Sequence, residues 1–251
     1  MKIEKFRDLT LVDLNDEQLL VISCDSLGGI GDKEGDLVKT SPEVSGYYTA
    51  NVALMENLSF GARPISLVNN LSVEMDPAGL GIIRGIEKAL APLKLPRDSF
   101  ITGSTEENIP VNTTGLGITV IGLVNKKDWK RPESKAGSLL VSVGIPKLGD
   151  EVVKDQERSI MNIERLLRLL SLDYIYEILP VGSKGIGYEA MEMARTNGLE
   201  LEFLGDIDVD INTTAGPATC VLASIDEEDF ESLEAAIDIK VSKIGYFRKG
   251  I

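Results

Sequence analysis

Short apolar runs rich in β-branched residues mark the predicted strands in the first half of the chain. They are QLLVISC at 18–24, PISLVNNLSVE at 64–74 and GLGITVIGLV at 115–124. Between the first two, segment 45–60 is apolar on nearly all sides and predicts a buried helix that ends at Gly61. A second helix is predicted to start at Asp76-Pro77, where a capping residue precedes a proline.

A polar segment, NKKDWKRPESKAG at 125–137, separates these elements from a second set. In that set, strands are predicted at 138–144, 174–179, 199–204, 218–225 and 239–247, and helices at 156–171, 183–196 and 226–237. Because the strands do not alternate strictly with helices, the pattern favours the α+β class. We expect one domain at 1–130 and another at 131–251, each a mixed sheet with helices packed on one face.

The composition narrows the possible chemistry. The chain has 251 residues, a formal net charge of −14 and no histidine. The negative charge argues against nucleic-acid binding, and the lack of histidine excludes a Ser-His-Asp triad and a His-ligated zinc site. Since no apolar run has the length of a membrane span and the N-terminus has no signal-type segment, we expect a cytoplasmic protein without membrane partners. The chemistry that remains possible must use carboxylates, lysines, hydroxyls, backbone amides or a metal ion held by oxygen ligands.

Glu56 is the only charged residue between Glu43 and Arg63, on the predicted helix 45–60. A carboxylate buried on a helix that is apolar all round must be paired, neutralised or bound to a cation. The other interpretation places Glu56 on a narrow solvent-exposed stripe with Thr49. The pattern alone does not decide between them.

A glycine-rich acidic loop, DSLGGIGDKEGD, is predicted to start at Asp25, directly after the strand at 18–24. Glycines such as Gly29 and Gly31 let backbone N–H groups face a ligand, and such nests hold phosphate oxygens. The loop is neither a Walker A sequence nor a dinucleotide-binding fingerprint. A flexible, solvated loop that binds nothing is the alternative.

The segment TGSTEEN at 102–108 places Glu106 and Glu107 between two apolar runs. With Asp25 and Glu56, these residues supply carboxylates from separate elements. Sites for Mg²⁺ are commonly assembled from a few carboxylates plus substrate phosphates. A solvated hairpin turn is the simpler interpretation, and no spacing rule requires these side chains to converge.

A second glycine-rich turn, LPVGSKGIGYEA at 179–190, leads from a predicted strand into a predicted helix with Ser183 as its N-cap. Free amides at a helix start suit an anion, and Lys184 would add a positive charge. A tight turn that binds nothing is the alternative.

Taken in order, these motifs resemble the superfamily of aminoimidazole-ribonucleotide (AIR) synthase, thiamine-monophosphate kinase, selenophosphate synthetase and the hydrogenase maturation protein that dehydrates a carbamoyl group. Ser23-Cys24-Asp25 is similar to the family's Ser-Thr-Asp turn, and Gly29-Ile30-Gly31-Asp32-Lys33 to its Gly-Val-Gly-x-Lys loop. Glu56 stands five residues before Gly61-Ala62-Arg63-Pro64, in the place of the family's acid before Gly-Ala-x-Pro. Thr102-Gly103-Ser104-Thr105 resembles a Gly-Gly-Asp-Thr turn.

The resemblance implies an AIR-synthase-like, two-domain architecture whose first domain binds ATP and Mg²⁺ and forms a homodimer through its sheet. The implied metal ligands are Asp8, Asp25, Glu56, Glu106 and Glu107. The implied nucleotide-binding residues are Gly29, Gly31, Asp32, Lys33, Gly103, Ser104, Thr105, Gly182, Lys184 and Gly185, and the implied catalytic residues are Glu56, Glu106 and Lys33. Two positions depart from the family pattern, since Ser104 replaces its aspartate and Ser183-Lys184-Gly185 replaces an Asp-Gly turn.

Within the superfamily, the short chain resembles the alpha-ribazole kinases, which phosphorylate a benzimidazole riboside salvaged for the lower ligand of cobalamin. This resemblance implies a phosphotransferase that uses ATP and Mg²⁺ to phosphorylate a sugar hydroxyl of a small molecule. Two other functions stay open. One is an ATP-dependent synthase or dehydratase of the same superfamily that activates an amide oxygen, and the other is a non-catalytic nucleotide-binding protein.

Overall fold

The computed structural model describes residues 2–95, 97–127 and 129–250, without the side chains of residues 97 and 98. The chain divides into two compact units, Met1–Lys130 and Arg131–Ile251. Each unit combines β-sheet with α-helices, which confirms the predicted α+β class. Asp128, in the segment predicted as a domain boundary, lies outside the described residues.

The first unit is built on a six-stranded sheet. Its strands are β1 (Ile3–Phe6), β2 (Leu9–Asp13), β3 (Gln18–Gly28), β6 (Arg63–Leu71), β7 (Ile101–Thr105) and β8 (Gly115–Asn125), and the short pair β4 (Ile30–Gly31) and β5 (Val38–Lys39) lies apart from them. The order across the sheet is β1-β2-β3-β8-β6-β7, with only β6 and β7 parallel. The helices are α1 (Pro42–Ser59), α2 (Leu80–Leu90) and the short α3 (Arg97–Phe100).

Helix α1 ends before Gly61, as its sequence predicts, and begins at Pro42, three residues earlier than expected. The Ser41 hydroxyl caps the helix by accepting a hydrogen bond from the backbone N–H of Val44, and Pro42 occupies the first turn. After the helix, Gly61 takes the left-handed conformation with φ of +85°. These signals fix both ends of the helix that carries Glu56.

Helix α1 packs on β3 through buried polar contacts. The Ser23 hydroxyl donates to the carbonyl of Ala53 at 2.7 Å, and the Asn57 side-chain amide donates to the carbonyl of Val21 at 3.2 Å. Residues 19, 21 and 23 of β3 are buried on this side of the sheet. The odd-numbered residues of β3 therefore face the helix.

Helices α1 and α2 approach each other closely at two glycines. A Cβ atom at Gly46 would lie 2.2 Å from the carbonyl oxygen of Ile82, and one at Gly85 would lie 2.0 Å from the carbonyl oxygen of Glu43. Only glycine fits at both positions, because main-chain atoms of the neighbouring helix occupy the space of a side chain. The two helices form one layer.

The opposite face of the six-stranded sheet carries half-buried apolar side chains. On this face Leu20 pairs with Leu123 and Ile22 with Ile121, in adjacent strands β3 and β8. Each of these four residues alternates with a buried neighbour that faces the helices. The result is an apolar stripe at the centre of the sheet.

Two boundaries in the first unit differ from the predictions. Strand β3 continues to Gly28 because its last residues pair with β8 as far as Gly115, so Asp25 lies within the strand rather than after it. The second helix begins at Leu80, not at Asp76. Asp76 is extended, with φ of −114° and ψ of 120°, and residues Met75–Gly79 form a π-helical turn with a cis peptide bond before Pro77.

The second unit is built on a five-stranded sheet. Its strands are β9 (Leu139–Gly144), β10 (Glu177–Pro180), β11 (Leu199–Phe203), β12 (Cys220–Ile225) and β13 (Val241–Lys249), in the order β10-β12-β9-β13-β11. The helices are α4 (Asp150–Asp155), α5 (Ile163–Leu170), α6 (Gly185–Thr196) and α7 (Phe230–Ala236). The strand order places every described strand beside one that runs in the opposite direction, so all pairs in this sheet are antiparallel. The expectation of a mixed sheet is therefore wrong for the second unit.

The helix predicted at 156–171 begins only at Ile163, because a break at 156–162 separates α5 from α4, and α4 lies before the predicted range. Gln156 and Glu157 have left-handed backbones, with φ of 53° and 63°, which end α4. The Asn162 side chain then accepts a hydrogen bond from the N–H of Arg165 at 2.9 Å and caps α5. Apolar residues at helical spacing continue through the break, and this misled the prediction.

Candidate functional site

Asp25 supplies a partly buried carboxylate on the helix-facing side of β3. It follows Ser23 by two residues, so its side chain lies on the face that α1 covers. Burial raises the pKa of the Asp25 carboxyl to about 6, and a hydrogen bond from the backbone N–H of Ser26 opposes this effect. Within the described part of the chain, no lysine or arginine forms an ion pair with it. Asp25 therefore has the surroundings of a carboxylate that would gain from a bound cation.

Glu56 lies half-buried on α1, three residues after the Ala53 carbonyl that receives the Ser23 hydrogen bond. It is on the same side of the sheet as Asp25. Among residues 2–95, 97–127 and 129–250, however, no group of three or more Asp, Glu or Cys side chains is close enough to hold a metal ion. The carboxylates implied by the family resemblance do not form a preassembled protein cage.

Asp8 is exposed in the turn between β1 and β2. The preceding Arg7 has a left-handed backbone, and its guanidinium lies 4.9 Å from the centre of the Phe6 ring. Phe6 in turn packs on Phe60, with ring centres 5.4 Å apart. This contact places the Asp8 turn near the C-terminal end of α1, which is the end that carries Glu56.

The glycine-rich segment after β3 folds around Asp36, a residue that the sequence did not single out. The buried Asp36 carboxylate accepts hydrogen bonds from the N–H of Lys33 at 2.9 Å and from the N–H and hydroxyl of Thr114, both at 2.7 Å. Burial alone would raise the pKa of Asp36, but these hydrogen bonds lower it below the usual range. Gly31 is required here, since its Cβ would lie 2.2 Å from the Thr114 hydroxyl oxygen. The position of this aspartate within a glycine-rich segment was the sequence signal that could have identified it.

The backbone amides of this segment already have partners in part. The N–H of Gly29 donates to the carbonyl of Thr114 at 2.8 Å, and the N–H of Gly35 donates to the carbonyl of Asn112 at 2.7 Å. Asp32 is exposed. The segment is thus a fold-stabilising turn, and the amide of Gly29 is not free to form a phosphate nest.

Lys33, the predicted phosphate-binding lysine, forms an ion pair with Glu74 at 2.7 Å. The Lys33 side chain is only 14% exposed, whereas that of Glu74 is 38% exposed. The hydrogen bond from Lys33 lowers the pKa of the Glu74 carboxyl. This ion pair competes with any phosphate for the lysine.

The residues of TGSTEEN lie at an edge of the first sheet. Gly103 and Ser104 are exposed in β7, where Ser104 is in register with Asn70 of β6. A Cβ at Gly103 would lie 2.1 Å from the Asn69 carbonyl oxygen, so the glycine permits close strand pairing. Thr105, the last residue of β7, is half-buried. The predicted hairpin turn is an edge strand.

Glu106 and Glu107 both accept hydrogen bonds from backbone N–H groups. One oxygen of Glu106 accepts hydrogen bonds from the N–H of Asn108 at 2.7 Å and of Ile109 at 3.3 Å. The Glu107 carboxylate accepts from the N–H of Met75 at 2.9 Å. Both side chains therefore stabilise the loop that follows β7.

The glycine turn of the second unit starts α6 differently from the prediction. The helix begins at Gly185 with Lys184, not Ser183, as the cap residue, because Gly185 has a left-handed φ of +82° and lies against the backbone of 211–213. The N–H of Gly187 donates to the Ile211 carbonyl at 2.8 Å, and that of Gly185 to Gly182 at 3.2 Å. The Lys184 ammonium lies 4.0 Å from the centre of the Tyr188 ring. The first-turn amides are thus partly used within the fold.

Fold and site together define a two-unit α+β protein whose first unit places half-buried carboxylates beneath a helical layer. Residues 7–124 match the family described as AIR synthase related protein, N-terminal domain. The matched segment is slightly less than half of the chain and lies within the first unit, and the match agrees with the resemblance seen in the sequence. No curated protein matches the chain in sequence.

Solved structures with the same fold cover nearly the whole chain. Thiamine-monophosphate kinase from Stenotrophomonas maltophilia K279a is 17% identical with a TM-score of 0.63, over 99% of this chain and 89% of that one. AaThiL complexed with AMPPCP and TMP is 14% identical with a TM-score of 0.63, over 97% and 85%. T. maritima PurL complexed with ATP is 14% identical with a TM-score of 0.60, over 96% of this chain and 42% of that one.

None of the helices in the described residues is both long and apolar enough to cross a membrane.

Proposed function

We propose that this protein is an ATP- and Mg²⁺-dependent phosphotransferase that phosphorylates a ribose hydroxyl of a small nucleoside-like molecule. The observation that carries the proposal is the partly buried Asp25 carboxylate, which has no cationic partner among the described residues and lies in the segment that matches the AIR synthase related family. The fold shared with thiamine-monophosphate kinases supports the same reaction class.

Mg²⁺ fits the residues present. It is usually bound through one or two carboxylates, with water and substrate phosphates completing the coordination shell, rather than by an all-protein cage. Asp25 supplies one such carboxylate, and Glu56 from the facing helix is the second candidate. The raised pKa of Asp25 supports this assignment, because a nearby cation favours the ionised form that burial disfavours. When bound, Mg²⁺ offsets negative charge on the phosphate oxygens of the transition state.

The remaining steps fall to residues of this chain. A sugar hydroxyl attacks the γ-phosphorus of ATP while the bond to the leaving oxygen of ADP breaks. Lys33, released from Glu74, would hold phosphate oxygens through its ammonium. Of the proposed catalytic carboxylates, Glu56 is better placed than Glu106 to orient the hydroxyl, since Glu106 accepts two backbone hydrogen bonds within its own loop. No covalent enzyme intermediate is required.

Alpha-ribazole is the acceptor that we propose, on the basis of the sequence resemblance of this short chain to alpha-ribazole kinases. This would place the protein in salvage of the lower ligand of cobalamin. The departure at Ser183-Lys184-Gly185 favours an acceptor other than thiamine phosphate or the purine precursor.

Two alternatives have support of their own. A synthase or dehydratase that activates an amide oxygen is supported by the fold shared with T. maritima PurL, which was solved in complex with ATP. A non-catalytic nucleotide-binding protein is supported by Ser104, which replaces the aspartate of the family pattern.

We also propose that two copies associate through the face of the first sheet opposite to α1 and α2. The apolar stripe of Leu20, Ile22, Ile121 and Leu123 is half-buried in the single chain. Removal of such side chains from water stabilises association by roughly 25 cal/mol per Å². Two-fold pairs are the commonest assemblies, and each copy contributes the same surface to such an interface.

The test is an assay of the purified protein with ATP, Mg²⁺ and alpha-ribazole, read out by mass spectrometry. A stable phosphorylated riboside supports the kinase, whereas ADP formation coupled to ring closure or nitrile formation supports the synthase or dehydratase. Nucleotide binding without turnover supports the non-catalytic protein. We expect Glu56→Gln to abolish Mg²⁺-dependent nucleotide binding and Glu17→Gln, in the exposed turn after β2, to leave it unchanged. Unchanged affinity in Glu56→Gln would contradict the site.

A further inference from the structure

A cavity of about 610 Å³ opens in the second unit, beside the loop that follows β9. The loop 145–147 forms one wall and α4 forms another, and Arg158 and Thr213 complete the lining. Three of the lining side chains are cationic, namely Lys147, Lys154 and Arg158, against two carboxylates. In a chain with a net charge of −14, this excess of positive charge is a local exception.

Lys147 is held in a fixed position at both ends. Its backbone N–H donates to the Thr219 hydroxyl at 2.9 Å, and its ammonium pairs with the Asp155 carboxylate. Asp155 also accepts hydrogen bonds from the N–H and the hydroxyl of Ser159, at 3.0 and 2.6 Å. Burial would raise the pKa of Asp155, but the hydrogen bonds from Lys147 and Ser159 lower it to about 2. The ion pair is therefore intact at neutral pH.

Lys154 and Arg158 have no such partner. Both are exposed at the cavity, and in the described part of the chain neither side chain forms an ion pair or a hydrogen bond. Their charges are available to a ligand. The fork of Arg158 suits two oxygens of one anion, and the ammonium of Lys154 acts as a mobile point charge.

We propose that this cavity is a binding site for a small molecule that carries a phosphate monoester. Lys154 and Arg158, which have no ion-pair partner among the described residues, together match the two negative charges of a phosphate dianion better than the single charge of a carboxylate. The apolar side chains of Ile145 and Pro146 provide a surface for the organic part, and Glu151 provides an acceptor for hydroxyl groups. The proposal is independent of the proposed phosphotransferase activity, because it concerns binding to residues of the second unit alone.

Isothermal titration calorimetry of the full chain with ribose 5-phosphate at low and moderate ionic strength tests the proposal. We expect saturable binding of one molecule per chain, weakened by about tenfold in Lys154→Gln and in Arg158→Gln, since each loses a charge-assisted contact. Lys249→Gln, an exposed residue at the end of β13, is the matched control and should bind as the unaltered protein does. Both cavity variants alter exposed side chains, and circular dichroism verifies that they fold.

Inorganic phosphate and ATP serve as competing probes that distinguish the sources of the ligand. If ATP displaces ribose 5-phosphate, and if this displacement is lost in Arg158→Gln, the ligand of the cavity is a nucleotide. Displacement by phosphate but not by ATP identifies a smaller phosphorylated sugar. The proposal is overturned if ribose 5-phosphate does not bind, if both cavity variants bind it unchanged, or if Lys249→Gln weakens binding as much as they do.

Discussion

Replacement of Asp25 by asparagine separates the role of this carboxylate in stability from its role in function. The variant keeps the shape of the side chain and removes its charge. In the fold, burial raises the pKa of Asp25 from 3.8 to about 6. Because a tenfold change in proton affinity corresponds to about 1.4 kcal/mol, the ionised carboxylate costs the native state about 3 kcal/mol. We therefore expect Asp25→Asn to be more stable than the unaltered protein at pH 7.5.

The gain must depend on pH with a defined sign. A carboxyl group whose pKa is raised in the fold contributes stability below its unfolded value of 3.8 and loses that contribution as the pH rises to about 6. The advantage of Asp25→Asn should therefore be small at pH 4, grow between pH 4 and 6, and stay constant above pH 6.5. Urea unfolding followed by the fluorescence of Trp129, which lies in the first unit, measures it.

Asp16→Asn is the matched control, because Asp16 is exposed in the turn between β2 and β3. It should change the free energy of unfolding little at any pH. Equal or lower stability of Asp25→Asn at pH 7.5, or a gain that does not vary with pH, would refute the reasoning. Under the proposed function, AMPPCP with Mg²⁺ raises the melting temperature of the unaltered protein and not that of Asp25→Asn. A stabilised variant that still responds to the ligand would separate Asp25 from the metal site.

Three further predictions concern other residues of the first unit. Glu74→Gln frees Lys33 from a partly exposed ion pair worth about 0.5–1 kcal/mol, so we expect nucleotide to bind about two- to fivefold more tightly by calorimetry; weaker binding would contradict the role of Lys33. Ile22→Glu should convert a dimer into a monomer in light scattering coupled to gel filtration, and an unchanged mass would argue against the sheet interface. Asp36→Ala leaves the N–H groups of Lys33 and Thr114 without their acceptor and should cost about 2–4 kcal/mol in urea unfolding. Because the pKa of Asp36 is lowered in the fold, its contribution is lost as the pH falls, and a constant contribution down to pH 2 would contradict it.

Local sequence signals were sufficient for most elements of the fold. The apolar run GLGITVIGLV marked β8, and Gly61 marked the end of α1, whereas the capping signal of Ser41 and Pro42 at its start was missed. Tertiary pairing decided the boundaries that were predicted wrongly. β3 reaches Gly28 only because β8 lies beside it, and no local signal at Cys24 or Asp25 indicates this extension.

The break between α4 and α5 illustrates a different limit. The apolar residues in this region follow a helical spacing, namely Ile160, Ile163 and Leu166. Such spacing predicts which residues share a buried face, but it does not show whether the backbone between them is helical. The left-handed residues Gln156 and Glu157 are neither glycine nor asparagine, so the usual signal was absent. Asn162 was the one readable sign, as a capping residue three positions before Arg165.

The sequence indicated which residues of the site have suitable side chains, but it did not indicate which residues those side chains contact. The sequence selected Asp25 and Glu56, which the fold places on one side of the first sheet. It did not show that Lys33 pairs with Glu74, because the two residues are far apart in the chain. Nor did it show that amides of the glycine-rich segment serve the turn around Asp36. Contacts of this kind depend on the complete fold rather than on local propensity.

The contact between α1 and α2 has a mechanical consequence. At Gly46 and Gly85 the backbones of α1 and α2 approach each other with no side chain between them. The separation of the two helices at these points therefore does not depend on the conformations of side chains. An added methyl group at Gly46 would act as a wedge about 15 Å along α1 from Glu56. Such a change would displace the Glu56 carboxylate while leaving every side chain of the proposed site chemically intact.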